Sequence, residues 1–561
     1  MKGDQAQGRG ERQTIHQKRW GNLGFSRRRS HLFYVLTIFC FLGVTAGSLA
    51  ATKRPDVELK IGIVQRFGDQ PTEKLNLQAT PGDRLTFKFK TGVQQQTLQA
   101  SSAKLEVVMQ PLPSPVVEER VVLSTHRSFE TAEDSAEQWR KKGLEVEIAQ
   151  PDRWQVWAKR EVYNTPLLRR LLLGSIQAKG TKTAYVDTQI LQKVPQASLV
   201  VNGYRYSRNE LDISADKNLI RVNQGNEQDA VLYAGNLRLQ PNSYGDYTLV
   251  NNVPLETYLR GVVPHEIGSS APYAAVEAQA IIARTYALRN LRRFALDGYE
   301  LCADTHCQVY RGLSGTVKNA DQAIAATRGR VLTYQNQLVD ALYSSTTGGI
   351  TAAFSDVWNG TDRAYLQPVV DAAGNIWNLD RLTLADEKNF QRFISLRQGF
   401  NETGWGMFRW RKESSMAQIT KDLQRYLQVN KNPLGNFKTI QQIQVVERSP
   451  SGRILKLAVQ TDQGSFVLEK DEVRNAFSAP RSTLFYLEPL NKGNKGLWGY
   501  AFVGGGLGHG VGLSQTGSQR LAKLGWSSSR ILNFYYPNTQ IQPLNDQITF
   551  WSKPPLNTSQ K

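Results

Sequence analysis

His265 and Glu266 stand together in VPLETYLRGVVPHEIGSSAPYAAVEAQAIIARTYALRNLRR, Val253–Arg293. This stretch reads as two helical runs joined by a short polar break. A carboxylate on such a connection is held by rigid elements yet can face a cleft, which suits a general acid. Val262, Val263 and Pro264 behind it would desolvate the carboxyl and raise its pKa. Taken alone, Glu266 is better explained as a cap of the following helix. His509 is the one ionisable side chain in GGGLGHGVGLSQTG, which holds seven glycines between Gly504 and Gly517. So much glycine lets backbone approach a ligand. Cys302, His306 and Cys307 form a C-x3-H-C cluster. In an exported chain two such cysteines suggest a disulfide, and with His306 they suggest zinc completed by a fourth ligand from elsewhere. Both readings stay open.

Several chemistries are excluded by spacing. Ser514 is not the centre of a G-x-S-x-G elbow. The glycine run fits neither G-x-G-x-x-G nor a phosphate loop, which ends in Lys-Ser/Thr, and His265-Glu266 does not open an H-E-x-x-H zinc motif.

The elements that must position these groups are legible in outline. Ala275, Gln279, Ile282 and Tyr286 recur at helical spacing on one face of an Ala-rich run, where small side chains allow close approach of a neighbour. Ser514 caps an expected helix from Gln515 to Leu524, stopped by Gly525, and a shorter helix spans Ser528–Tyr535. Residues 56–110 alternate as strands, and PLPSP at Pro111–Pro115 reads as a linker. Residues 116–180 read β-α-β-β-α: a strand at Val121–Leu123, a helix with a Thr131/Asp134 capping pattern, strands at Leu144–Ile148 and Trp154–Ala158, and a helix opened by Thr165-Pro166. Strands return over Ala197–Asn252, Arg330–Tyr343 and Ile440–Val473, and Asp380–Val429 reads as helical. The whole is an α+β chain: a β-rich N-terminal region, a small α+β insert and a mixed C-terminal domain, residues 197–545, around a cleft. Residues 546–561 read as a disordered tail.

The formal net charge is +20 over 561 residues. The charge is not gathered into dense patches interleaved with aromatics, which argues against nucleic acid. A basic surface suits an anionic polymer such as a cell wall. Residues 1–30 form a basic leader before an apolar, uncharged run at 31–51 that closes on Ser48-Leu49-Ala50. Signal peptide and uncleaved membrane anchor both fit that run. Either way the bulk of the chain is expected outside the cytoplasm, in the periplasm or cell envelope.

Four motifs in order, VPLETYLRGVVPHEI, AVEAQAIIARTYAL, YSSTTGG and GHGVGLSQTG, resemble the stage II sporulation protein D family (SpoIID/LytB) over about Ala197–Gln542. The resemblance implies a lytic transglycosylase that cuts the glycan strands of peptidoglycan, with Glu266 as the catalytic residue. It implies supporting or substrate-binding roles for Arg284, Gln279, Tyr343, Ser344, His509 and Gln515. Arg284 would bind a muramic or stem-peptide carboxylate, or orient Glu266. Glu277 stands where the family usually has Lys. Some members carry zinc near Cys302, His306 and Cys307. Other members resemble amidase enhancers, so a non-catalytic protein that binds the wall or an amidase is the alternative. The insert at 116–180 resembles a SPOR-type module, which implies peptidoglycan binding.

Overall fold

The computed structural model describes residues 56–551, apart from 71–72, 182, 226–228, 431 and 494–495. The expected leader, the apolar run at 31–51 and most of the expected tail lie outside the described residues. Residues 546–551 of that tail are described and are held on the core. Leu338 N–H donates to Thr549 O at 2.9 Å, and the Arg292 guanidinium lies 4.7 Å from the centre of the Trp551 ring. Among the described residues no helix is long and apolar enough to cross a membrane.

Two large sheets carry the N-terminal half. The first has seven strands in the order Leu301–Cys302, Glu58–Phe67, Tyr247–Pro254, Asn236–Pro241, Leu211–Ala215, Leu85–Thr91 and Gln94–Ala100. Leu59, Ile61 and Ile63 alternate inward along Glu58–Phe67, as a strand with one buried face requires. Tyr247–Pro254 lies between two partners and is buried along nearly all its length. It runs straight into helix α3 (Leu255–Ile267), and Leu255 N–H donates to Val57 O at 2.7 Å, so the sheet sets where that helix begins.

The second sheet holds the strands Ser102–His126 and Tyr185–Val201, paired antiparallel from Lys104 opposite Val200 to Val122 opposite Tyr185. The expected Pro-rich linker is part of the first of these strands. Pairing skips between Pro111 and Val116, because proline offers no N–H to a ladder and is accommodated as a bulge. The insert shows the expected β-α-β-β-α order. Its helices are α1 (Phe129–Lys141) and α2 (Pro166–Ala178), and its strands are Val146–Ala149 and Trp154–Ala158. Ser128 caps α1 by accepting from Thr131 N–H at 3.2 Å, which corrects the expected Thr131 cap. The insert shares the main core: Leu123, Phe129 and Trp154 lie in one hydrophobic cluster with Leu259 and Ala283, while Val122, Ala149 and Trp157 form a small cluster packed against Tyr244 and Leu296.

The central helices are α3 (Leu255–Ile267) and α4 (Tyr273–Arg289). Helix α3 carries Pro264 inside its last turn and ends at Gly268. Glu266 therefore sits on the final helical turn and not on the connection. From Ala278 to Leu288 helix α4 is buried, packed by α3, α5 (Lys318–Ala326), the strand Arg330–Tyr334, α9 (Gln515–Lys523) and α10 (Ser528–Tyr535). A helix apolar all round is a core helix, and its alanines permit that packing. Two smaller cores complete the C-terminal half. One lies around α6 (Glu387–Ser395), with Phe390, Phe393 and Phe408. The other lies around α7 (Met416–Val429) and α8 (Asp471–Asn475), with Ile419, Leu457 and Phe502. The stretch 380–429, expected helical throughout, is interrupted by the strand Trp410–Ser415.

Candidate active site

A cleft of about 780 Å³ opens where the end of α3, the insert, the Tyr343–Ser344 strand, the glycine-rich segment and α8 meet. Glu266 lines it. Its Oε1 accepts from Val309 N–H at 2.7 Å, and Gln515 Nε2 donates to Oε2 at 3.4 Å. The Val309 loop reaches α3 because position 261 is glycine: a Cβ there would come within 2.0 Å of Gly312 O. Burial raises the Glu266 pKa and outweighs the hydrogen bonds from Val309, Gln515 and Tyr343 and the nearby His265, all of which lower it. His265 itself turns away to Ser314 O at 2.9 Å.

Tyr343 stands beside Glu266. Its hydroxyl accepts from Gln308 Nε2 at 3.1 Å, and Gln308 Oε1 accepts from Tyr258 at 3.3 Å. Burial, then the Glu266 charge, holds the Tyr343 pKa well above its ordinary value, so it acts as a neutral hydrogen-bonding group. Tyr343 and Ser344 pair in parallel with Leu513 and Ser514, and this register brings Gln515 to the carboxyl. The Ser344 Oγ is buried with no hydrogen-bond partner among the described residues. His509 lines the same cleft, its ring centre 5.0 Å from that of Trp358. Its Nδ1 accepts from Val511 N–H at 3.0 Å. Burial pushes its pKa down to about 4, so the ring is neutral near pH 7.

The structure thus brings Glu266, Tyr343, Ser344, His509 and Gln515 together. It places Arg284 and Gln279 elsewhere, on faces of α4 turned to its packed neighbours, while Tyr286 of the same helix lines the cleft. Arg284 is fully buried and grips Glu256 through Nε at 2.8 Å and Nη2 at 2.7 Å, while Nη1 donates to Arg330 O at 3.0 Å. It neither reaches a substrate nor touches Glu266. Gln279 is fully buried and does not line the cleft. The glycine run serves mainly the protein's own packing. A Cβ at Gly512 would come within 2.0 Å of Leu342 O, and one at Gly505 within 2.5 Å of Phe408 O.

Sequence reading missed two supports. Gln308, fully buried, orients Tyr343. Glu402, also fully buried, organises the TTGG motif. Its carboxylate accepts from Thr347 N–H at 2.6 Å, Gly348 N–H at 2.8 Å and Gly349 N–H at 3.0 Å, and from the hydroxyls of Thr346 and Ser514, each at 2.6 Å. Neither residue has a local signal; the motif's many donors do call for an acceptor. Cys302 and Cys307 form a disulfide, and His306 Nδ1 faces Asp304 at 3.1 Å. With both sulfurs joined, the cluster does not present the thiolates that zinc takes.

Comparison with known proteins agrees with this layout. The stage II sporulation protein family matches residues 243–334, and a domain of unknown function (DUF8618) matches residues 352–512. The chain is 28% identical over 303 residues to the amidase enhancer of Bacillus subtilis (strain 168), covering 50% of this chain and 40% of that protein. It is 26% identical over 308 residues to stage II sporulation protein D of the same strain, covering 52% of this chain and 75% of that one. An uncharacterised protein of Brachyspira hyodysenteriae is 24% identical over 387 residues, covering 66% and 90%. The chain thus spans less than half of the amidase enhancer's length. The matched segment 243–334 contains α3, α4, Glu266 and Gln308, so the part of the chain that carries the candidate acid is similar to the stage II sporulation protein family.

Proposed function

We propose that the protein is an exported lytic transglycosylase that cleaves the bond between muramic acid and glucosamine in peptidoglycan strands, with Glu266 as general acid and base. The observation that carries this reading is a desolvated carboxyl of raised pKa in a cleft, hydrogen-bonded by Tyr343 and Gln515. Glu266 protonates the glycosidic oxygen, then takes the proton of the muramic C6 hydroxyl as that oxygen attacks C1. Because the nucleophile belongs to the substrate, no second catalytic carboxylate is needed. Neutral His509 and Tyr343 position sugar hydroxyls. Glu266→Gln keeps the shape and loses the proton, so dye release from labelled walls should fall about 100-fold or more.

The relative named amidase enhancer supports a second reading, in which the cleft binds wall or an amidase without cutting. In that case Glu266→Gln would stimulate an added amidase as well as the unaltered protein does, and neither would release dye alone.

A further inference from the structure

The insert forms one wall of the Glu266 cleft, contributing Arg127, Gln150 and Arg153. It is fastened there. Arg292 and Arg293 beyond α4 pair with Glu133 and Glu130 of α1 at 2.6 and 2.9 Å, and Trp154 packs between Phe129 and Phe294 with ring centres 5.1 Å apart on each side. Arg127 lies 5.5 Å from the centre of the Tyr426 ring on α7, and Arg153 donates to Asn430 at the end of the same helix. Arg474 of α8 lines the same cleft. The carboxylates nearby are engaged: Glu130 by Arg293, Asp471 by Arg474 at 3.0 Å, and Glu472 by Glu469 N–H at 3.1 Å. Asp152 is exposed beside them and, among the described residues, forms no ion pair. Among the described residues neither Arg127 nor Arg153 has a carboxylate partner. Like charges held together repel, and a guanidinium fork matches a carboxylate bidentately.

We propose that Arg127 and Arg153, with Arg474 beside them, form a subsite of the cleft that binds a carboxylate carried by the glycan. The source is the lactyl carboxylate of a peptide-free muramic residue or a carboxylate of the stem peptide. The proposal rests on the reading that peptidoglycan strands occupy this cleft. It gives the insert a role in substrate choice at the site of cutting, and it transfers to these residues the carboxylate binding that buried Arg284 does not perform.

The test uses the full chain carrying Glu266→Gln, so that binding is read without cutting. Three probes are compared: peptide-bearing glycan, amidase-stripped glycan, and stripped glycan with its carboxyls amidated. Adding Arg127→Gln and Arg153→Gln should weaken binding of a carboxylate-bearing probe about ten-fold or more. The amidated probe should bind weakly and equally with or without these changes. Whichever carboxylate-bearing probe loses affinity identifies the source. Arg127→Lys with Arg153→Lys should restore part of the binding, which separates charge from misfolding. Equal binding of all probes by both proteins, equal loss on the amidated probe, or no binding at all would overturn the subsite. Wild-type digests lacking anhydromuramic ends would count against the transglycosylase alone, since the binding comparison does not depend on cutting.

Discussion

Hydrogen bonds from Val309, Gln515 and Tyr343 to the Glu266 carboxyl would by themselves make it a stronger acid than usual. Desolvation overrides them and leaves a weaker one. A proton donor near neutral pH needs that balance. It also sets the sign of a stability effect. A carboxyl with a raised native pKa binds its proton more tightly folded than unfolded, so its ionisation costs stability as pH rises from the ordinary 4.5 through the native value. Glu266→Gln should therefore unfold at higher denaturant than the unaltered protein at pH 8, and this advantage should vanish at pH 4. His509 works in the opposite sense. Buried neutral, with a native pKa of about 4 against 6.5 unfolded, it contributes stability that is present above pH 6.5 and lost as pH falls toward 4. His509→Asn should flatten that part of the pH–stability profile, measured by thermal unfolding.

The helix pair α3 and α4 is held by an ion pair between its elements. Arg284 on α4 clasps Glu256 at the start of α3, and Gly329 N–H donates to the same carboxylate at 3.2 Å. Arg284→Ala leaves a buried carboxylate unpaired and should cost about 3–5 kcal/mol in urea unfolding; a variant that kept its stability and lost only substrate affinity would contradict this assignment. Element type was largely legible from periodicity: the Ala-rich helix, the helix after Ser514 and the β-α-β-β-α order all lie where the pattern placed them. What a helix residue faces was not. Arg284 and Tyr286 are two apart on α4, yet one is sealed against Glu256 and the other lines the cleft. A helix buried along most of its length has no polar face for a sequence to reveal. Gln308 and Glu402 were invisible for a related reason, since their partners come from distant segments.

At the scale of the whole molecule the insert and the N-terminal strands form one body with the cleft. Ser102–His126 runs unbroken from one into the other, so the expected boundary at residues 111–115 is a bulge within a sheet. Excised, residues 116–180 would lose the Ser102–Gln110 part of that strand and would expose Phe129 and Trp154, which are 2% accessible in the whole chain. The isolated segment should therefore show neither cooperative unfolding nor dispersed amide resonances, and wall binding has to be measured on the full chain. The disulfide closes the loop beside the cleft. Thiol titration of the purified protein under non-reducing conditions should find Cys302 and Cys307 blocked, and elemental analysis should find no zinc.

The central claim concerns which oxygen attacks the sugar, and mass spectrometry of the products of wild-type digestion reads it directly. Muramic ends one water lighter than the reducing sugar, in the 1,6-anhydro form and absent from the Glu266→Gln digest, are the predicted result. Reducing muramic ends would show that water is the nucleophile, and an uncut wall would show that the cleft binds without cutting; either contradicts the account.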